Sequence, residues 1–247
     1  MCGIFGFITQ QGEGPEVARL RRIALITQSR GEHAFGLAWL DSDGSIHTFK
    51  QPGPARDYLD ELDRCRDAVV VVGHCRYATH GSPLDNRNNH PHVAGSGYLV
   101  HNGVVHNHRD LLHRHRLRPS GECDSEVLGL LMARCARGSI VQRSAWAVSQ
   151  AEGDLAMLGV WRKPARLLVT RRGRPLHLGQ GHDGSYFASL PDGLPGKARA
   201  VTDRSTRVLA YERGIQSLED RPIDLSGGVH VPHPNTLKIL DLWVDSP

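Results

Sequence analysis

The sequence predicts an α+β domain built largely on antiparallel sheets. Three observations carry this. Strand-like runs and helix-like runs come in clusters rather than in strict alternation. Turn-forming tetrads such as Asp41-Ser42-Asp43-Gly44 join neighbouring runs as hairpins. At 247 residues and 39% hydrophobic, the chain can bury a core without disulfide or metal staples, as one domain or at most two small ones.

The elements follow in order. Residues 3–9 are apolar and read as a buried strand, ended by the polar turn 10–14. Pro15 sits where a helix can begin, and Val17, Leu20, Ile23 and Ala24 have helical spacing. Residues 35–40 and 45–50 form a strand pair, and 56–66 a short helix. Residues 68–74 are rich in valine and read as a buried strand. Residues 76–97 mix Gly, Pro, Asn and His without periodicity, which predicts a long loop, and long loops in compact domains are commonly functional. A strand at 98–101 leads to Asn102-Gly103, a hairpin-turn signal, and 124–137 reads as a helix. Strands are expected at 155–161, 165–170, 175–178 and 186–189, and beyond Gly227 at 229–231 and 236–240. No internal repeat divides the chain.

Composition excludes several classes. Net charge is +4 with the basic residues scattered, so Arg19-Leu20-Arg21-Arg22 and Arg171-Arg172-Gly173-Arg174 read as a solvated helix face and a turn rather than a nucleic-acid footprint. Five cysteines (Cys2, Cys65, Cys75, Cys123, Cys135) without a C-x-x-C pair suit a reducing compartment, and a cytoplasmic location is expected. No apolar run is long enough to span a membrane, and residues 4–8 are too short for a secretory signal.

Four polar clusters remain once core patterns are removed: 30–36, 73–81, 101–108 and 121–126. Cys2 joins them if Met1 is removed, because its thiol and α-amine then form a nucleophile with its own base of pKa about 8. On position alone Cys2 reads as a buried strand cysteine rather than a nucleophile, and the motifs that follow it decide between the two. Arg76 follows a buried strand and can bind a carboxylate bidentately. Thr79 and His80, in a Gly-flanked loop, can add donors and cover a pocket. Asn102 and Gly103 offer a side-chain amide and an open backbone N–H, the donors of an oxyanion hole. Asp124 can bind an ammonium group or simply cap a helix. A ligand with an α-carboxylate, an α-ammonium and a side-chain amide matches this set, and glutamine is that ligand. The histidines His101, His106, His108, His113 and His115 fit no zinc spacing, so neither metal nor organic cofactor is expected.

The ordered motifs resemble the class II glutamine amidotransferases, N-terminal-nucleophile hydrolases with an N-terminal cysteine, and most of all the glutaminase domain of the glucosamine-6-phosphate synthases. The resemblance rests on Cys2-Gly3-Ile4-Phe5-Gly6, Arg30-Gly31 with Gly36-Leu37-Ala38, Arg76 with Ala78-Thr79-His80-Gly81, and His90-Pro91-His92. It continues through His101-Asn102-Gly103-Val104-Val105 with Asn107-His108, Asp124-Ser125-Glu126-Val127 and Tyr186-Phe187-Ala188-Ser189. It implies a four-layer αββα sandwich with two antiparallel sheets. By position it implies Cys2 as nucleophile, Asn102 and Gly103 as oxyanion hole, Arg76 on the glutamine carboxylate and Asp124 on its ammonium. Thr79 and His80 would lie on the closing loop, and Arg30 near the catalytic centre. Tyr77 stands where the sugar-synthase relatives have tryptophan, and Glu32-His33 also departs from their pattern.

A single domain over 2–247 is expected, with the motifs in about 2–215, an extension at 216–247 and no synthase domain. The expected activity is a stand-alone glutaminase: glutamine to glutamate and ammonia, the ammonia going to a separate acceptor enzyme, with no membrane or nucleic-acid partner. An amidohydrolase for another γ-glutamyl compound and a non-catalytic regulatory homologue are the alternatives.

Overall fold

A computed structural model describes residues 1–135, 137–212, 214–218 and 223–224, the last two and Ile215 and Leu218 by backbone alone. In chain order, β1 (Gly3–Thr9) is followed by α1 (Val17–Gln28), β2 (Ala34–Asp41), β3 (Ile46–Pro52), a 3-10 segment (Ala55–Cys65) and β4 (Ala68–Arg76). Then come a short 3-10 turn (Asn86–Asn88), β5 (His92–Ala94), β6 (Gly97–Gly103), α2 (His108–Arg114), α3 (Glu126–Arg134) and α4 (Ile140–Gln150). The chain closes with β7 (Leu155–Trp161), β8 (Ala165–Arg172), β9 (His177–Gln180), β10 (Gly184–Ala188), β11 (Arg199–Ala200), β12 (Ser205–Glu212), β13 (Ile215–Leu218) and β14 (Ile223–Asp224).

The strands form two sheets whose ladders are antiparallel. One runs β11-β9-β10-β1-β4-β2-β3, the other β13-β12-β8-β7-β6-β5 with β14 also on β12. Side chains of a strand alternate between faces, and β1 shows the consequence. Ile4 and Ile8 enter a core shared with Val70, Val72, Leu158 and Leu167, between the sheets. Phe5 and Phe7 point the other way, into a cluster with Leu20 and Ile23 of α1 and Leu62 of the 3-10 segment. A third cluster packs Val127, Leu131 and Trp146 of α3 and α4 on Leu99 and Met157 of the second sheet. The layers are therefore helix, sheet, sheet, helix, the expected αββα sandwich.

Several local readings change. The predicted loop 76–97 contains the short strand β5 and the start of β6. Asn102 and Gly103 are not a hairpin turn, because they complete β6 opposite Ala156 and Leu155 of β7. Residues 56–66 are 3-10 rather than α, interrupted by non-helical backbone at Tyr58. The helix expected at 124–137 spans only Glu126–Arg134. α4 and β12 escaped the periodicity reading. The signal for α4 was Ser139-x-x-Gln142, which forms a reciprocal capping box. At its other end, Arg172 of β8 donates to the carbonyls of Val148 (2.7 Å) and Ala151 (2.8 Å). The strands expected at 229–231 and 236–240 lie outside the described residues. Among the described residues no helix is long and apolar enough to cross a membrane.

Leu158 is fully buried between the sheets, whereas Leu84 is 81% exposed. Leu158→Ala is expected to lose about 2–5 kcal/mol of unfolding free energy and Leu84→Ala less than about 0.5, by urea titration.

Candidate active site

The pairing of β1 with β4 sets Gly3 opposite Cys75. Cys2, just before β1, therefore lies beside the residues that leave β4, Arg76 and Tyr77. Its sulfur accepts from the Tyr77 N–H at 3.3 Å and faces the Tyr77 carbonyl at 3.4 Å. Arg30 Nε donates to the Cys2 carbonyl at 2.8 Å. A Cβ at Gly3 would sit 2.5 Å from Thr27 of α1, so no larger residue fits at that position without displacing α1. Burial pushes the Cys2 thiol up. The Tyr77 backbone, the N-terminal charge and Arg76 pull it back down in part, and Asp124 adds to the rise. The net direction is upward, so the resting group at neutral pH is a thiol, not a thiolate.

Arg76 is almost fully buried. Its Nη1 donates to Asn89 Oδ1 at 2.8 Å, and its Nη2 to the carbonyls of His80 and of Gly81, the latter at 3.0 Å. Two of the five guanidinium N–H groups thus pin the 77–81 loop and a third holds Asn89, leaving two for a ligand. Asp124 is also buried, with Oδ2 accepting from the Val105 N–H at 2.7 Å and Oδ1 lying 3.4 Å from His80 Nδ1. The N-cap of α3 is Ser125, and Asp124 makes no cap. Its orientation is set by the chain just past β6, which removes the helix-capping explanation for this carboxylate.

Asn102 is buried, and its Nδ2 has no hydrogen-bond partner in the structure. Such a donor is costly to leave unmet, and buried amides are generally satisfied. Next to it, a Cβ on Gly103 would stand 2.3 Å from the Asp154 carbonyl, so only glycine fits there. The strand end is held by His74, which donates from Nε2 to the His101 carbonyl at 3.0 Å, and by His101 Nδ1, 2.8 Å from Ser125 Oγ.

Thr79, His80 and Asp124 line a cavity of about 440 Å³ together with His108, Glu122 and Cys123. That is a small-molecule volume. A second hollow of about 560 Å³ is lined by Met1, Arg30, His33 and Tyr77. The predicted residues are therefore linked as a chain: Arg30 to Cys2, Cys2 to Tyr77, Arg76 to His80, His80 to Asp124. Asn102 and Gly103 stand outside this chain of bonds, next to the His101 carbonyl that His74 of β4 holds. Reading from sequence alone missed His33 and Asn89. His33 Nδ1 accepts from the Ala78 N–H at 2.9 Å and its ring stacks on Tyr77 at 4.9 Å, so two residues that depart from the sugar-synthase pattern support each other. The departure from the family pattern was the available signal for His33, and Asn89 offered none.

A sequence model of the family "Glutamine amidotransferases class-II" matches residues 16–159. The glutamine–fructose-6-phosphate aminotransferase of Leifsonia xyli is 33% identical over 200 residues, covering 76% of this chain and 32% of that protein. The Aquifex aeolicus protein of the same name is 32% identical over 204 residues, covering 79% and 33%. The chain spans about a third of the length of these curated relatives. In fold it is similar to the solved glutamine phosphoribosylpyrophosphate amidotransferase of B. subtilis, at TM-score 0.72 and 22% identity, covering 91% of this chain and 49% of that one. A class-II glutamine aminotransferase domain protein from Silicibacter pomeroyi aligns at TM-score 0.56 and 16% identity, over 92% and 100%.

Burial lowers the pKa of His101 to about 4. The unfolded chain takes up a proton near pH 6.5 that folded His101 refuses, so this group's contribution makes stability fall as pH drops from about 6.5 to about 4. Its share of the slope is at most about 1.4 kcal/mol per pH unit. Urea midpoints across that window are expected to decline with acidification, and His101→Gln to flatten the decline.

Proposed function

The chain belongs to the class II glutamine amidotransferases, and from that premise we propose that it hydrolyses glutamine to glutamate and ammonia, with Cys2 as nucleophile and the ammonia passed to an acceptor enzyme. One observation carries the assignment of the site: a buried carboxylate, Asp124, lines a ligand-sized cavity, and its field and that of the buried Arg76 both reach the Cys2 thiol. These are the charges that an amino acid's ammonium and carboxylate require.

Cys2 sits in surroundings that disfavour its thiolate, so the reaction needs a base. Removal of Met1 supplies one, the α-amine of Cys2 itself. The amine takes the thiol proton as sulfur attacks the side-chain amide carbon of glutamine. The oxyanion that forms is met by Asn102 Nδ2 and the Gly103 N–H, and an Nδ2 without another partner is ready for that charge at little reorganisation cost. Collapse breaks the C–N bond, the amine's proton leaves with ammonia, and water then cleaves the γ-glutamyl thioester. Arg76 takes the substrate carboxylate with its two remaining N–H groups, and Asp124 takes the ammonium. Thr79 and His80 cover the ligand, and Arg30 fixes the Cys2 carbonyl. Residues 2–215 act as one catalytic unit in this reading, with 216–247 as an extension.

Cys2→Ala is expected to abolish ammonia release from glutamine while leaving the circular dichroism spectrum unchanged; turnover at the native rate by that variant would refute the assignment. Intact mass of an active preparation is expected to lack Met1, and full activity with Met1 retained would exclude the amine as base. Asn102→Ala is expected to lower kcat about 10²–10³-fold with a small change in KM, measured by coupled glutamate production.

A further inference from the structure

Behind the cavity, three metal-ligand side chains meet that the glutamine chemistry does not use. One nitrogen of His90, one of His92 and the sulfur of Cys123 lie within 4.8 Å of one another, and all three residues are buried. Both ring nitrogens of His90 and Nε2 of His92 have no hydrogen-bond partner in the structure. Buried imidazoles are normally satisfied, so unpartnered nitrogens that converge on a buried sulfur are unusual. We propose that His90, His92 and Cys123 bind a zinc ion.

The donor set is one zinc favours, two neutral imidazoles and a thiolate, with a fourth position left open. Zinc bonds of about 2.0–2.3 Å would bring the three atoms to about 3.3–3.8 Å apart, so the cluster has to tighten by at most about an ångström. Of the three ligands, Cys123 stands on the stretch between α2 and α3, outside the strands. The His90 side is held firmly, because its carbonyl packs where a Cβ on Gly36 would be, 2.0 Å away. Support around the ligands is present. The His90 ring stacks on His74 at 3.9 Å, and Ser125 hydrogen-bonds the Cys123 sulfur while holding His101 Nδ1.

Charge pulls in two directions. Lys50, whose Nζ donates to the carbonyls of Asn89 (3.0 Å) and Pro91 (3.3 Å), and Arg76 both stand near the cluster and oppose a bare divalent cation. They also favour the Cys123 thiolate, against burial and Asp124, which push the metal-free thiol up to about 11, and Glu126 offsets Lys50. With one thiolate bound the site carries a net single positive charge. On binding, the Cys123 S–H bond breaks, a Zn–S bond forms and the proton leaves to solvent, with no change of oxidation state. The ion would tie β5 to the residue that immediately precedes Asp124.

The test uses full-length, tag-free Cys2→Ala protein, which removes the competing thiol. It is stripped with chelator, incubated with zinc chloride and desalted. One zinc per chain by mass spectrometry, lost in Cys2→Ala/Cys123→Ser and in Cys2→Ala/His92→Ala with near-ultraviolet circular dichroism preserved, is the expected result. Cobalt(II) in place of zinc is expected to give a thiolate-to-metal charge-transfer band that Cys123→Ser abolishes. No retained zinc in the Cys2→Ala protein, or equal retention with Cys123→Ser, would overturn the proposal. Because these readouts do not involve turnover, they stand or fall separately from glutamine hydrolysis.

Discussion

The register of β1 is the constraint on which the site depends. β1 lies between β10 and β4, and both ladders run along nearly its whole length. A shift of one residue would turn Phe5 and Phe7 into the space between the sheets and Ile4 and Ile8 toward α1, so side-chain size on the two faces locks the pairing. That lock fixes Gly3 opposite Cys75 and so places the Cys2 sulfur against the Tyr77 backbone. The start of the strand has a further tie, since Ser189 Oγ accepts from the Ile4 N–H and the Ser189 N–H donates to the Ile4 carbonyl. The position of the thiol is thus a product of core packing two to six residues away.

How much of this was legible in the sequence depended on the kind of signal. Strands buried on both faces and rich in β-branched residues, such as β4, announced themselves, and so did the helix that follows Pro15. Short pieces did not. β5 pairs only three residues, and its stability comes from β6 and α3 rather than from local preference. β12 is read poorly from sequence because its first three residues, Ser205, Thr206 and Arg207, are polar. The candidate site came from motif order, and the structure sets Cys2, Arg76, Asn102, Gly103 and Asp124 at strand ends or helix approaches. What the motif order could not give was the partners. That Arg76 spends much of its guanidinium on the His80 and Gly81 carbonyls, and that Asp124 takes the Val105 N–H, are three-dimensional facts with no local signature.

The same chain of contacts makes the 77–81 loop a shared element. Arg76 holds its far end, His33 its near end, and His80 leans toward Asp124. Substitution at any of these anchors acts on the loop before it acts on a ligand. Buried histidines surround this arrangement without being charged, because desolvation keeps His74 and His90 far below their ordinary range. Neutral rings let the region stay dense without accumulating positive charge next to Arg76.

Arg172 shows a different economy of means. Its two terminal nitrogens reach separate carbonyls at the end of α4, and a third at Gly153, from a strand on the neighbouring layer. A lysine there would keep the charge but bring one ammonium to a place that asks for a planar fork. The position therefore discriminates by shape, and a charge-conserving exchange would loosen the joint between helix layer and sheet while leaving the electrostatic tally of the molecule untouched.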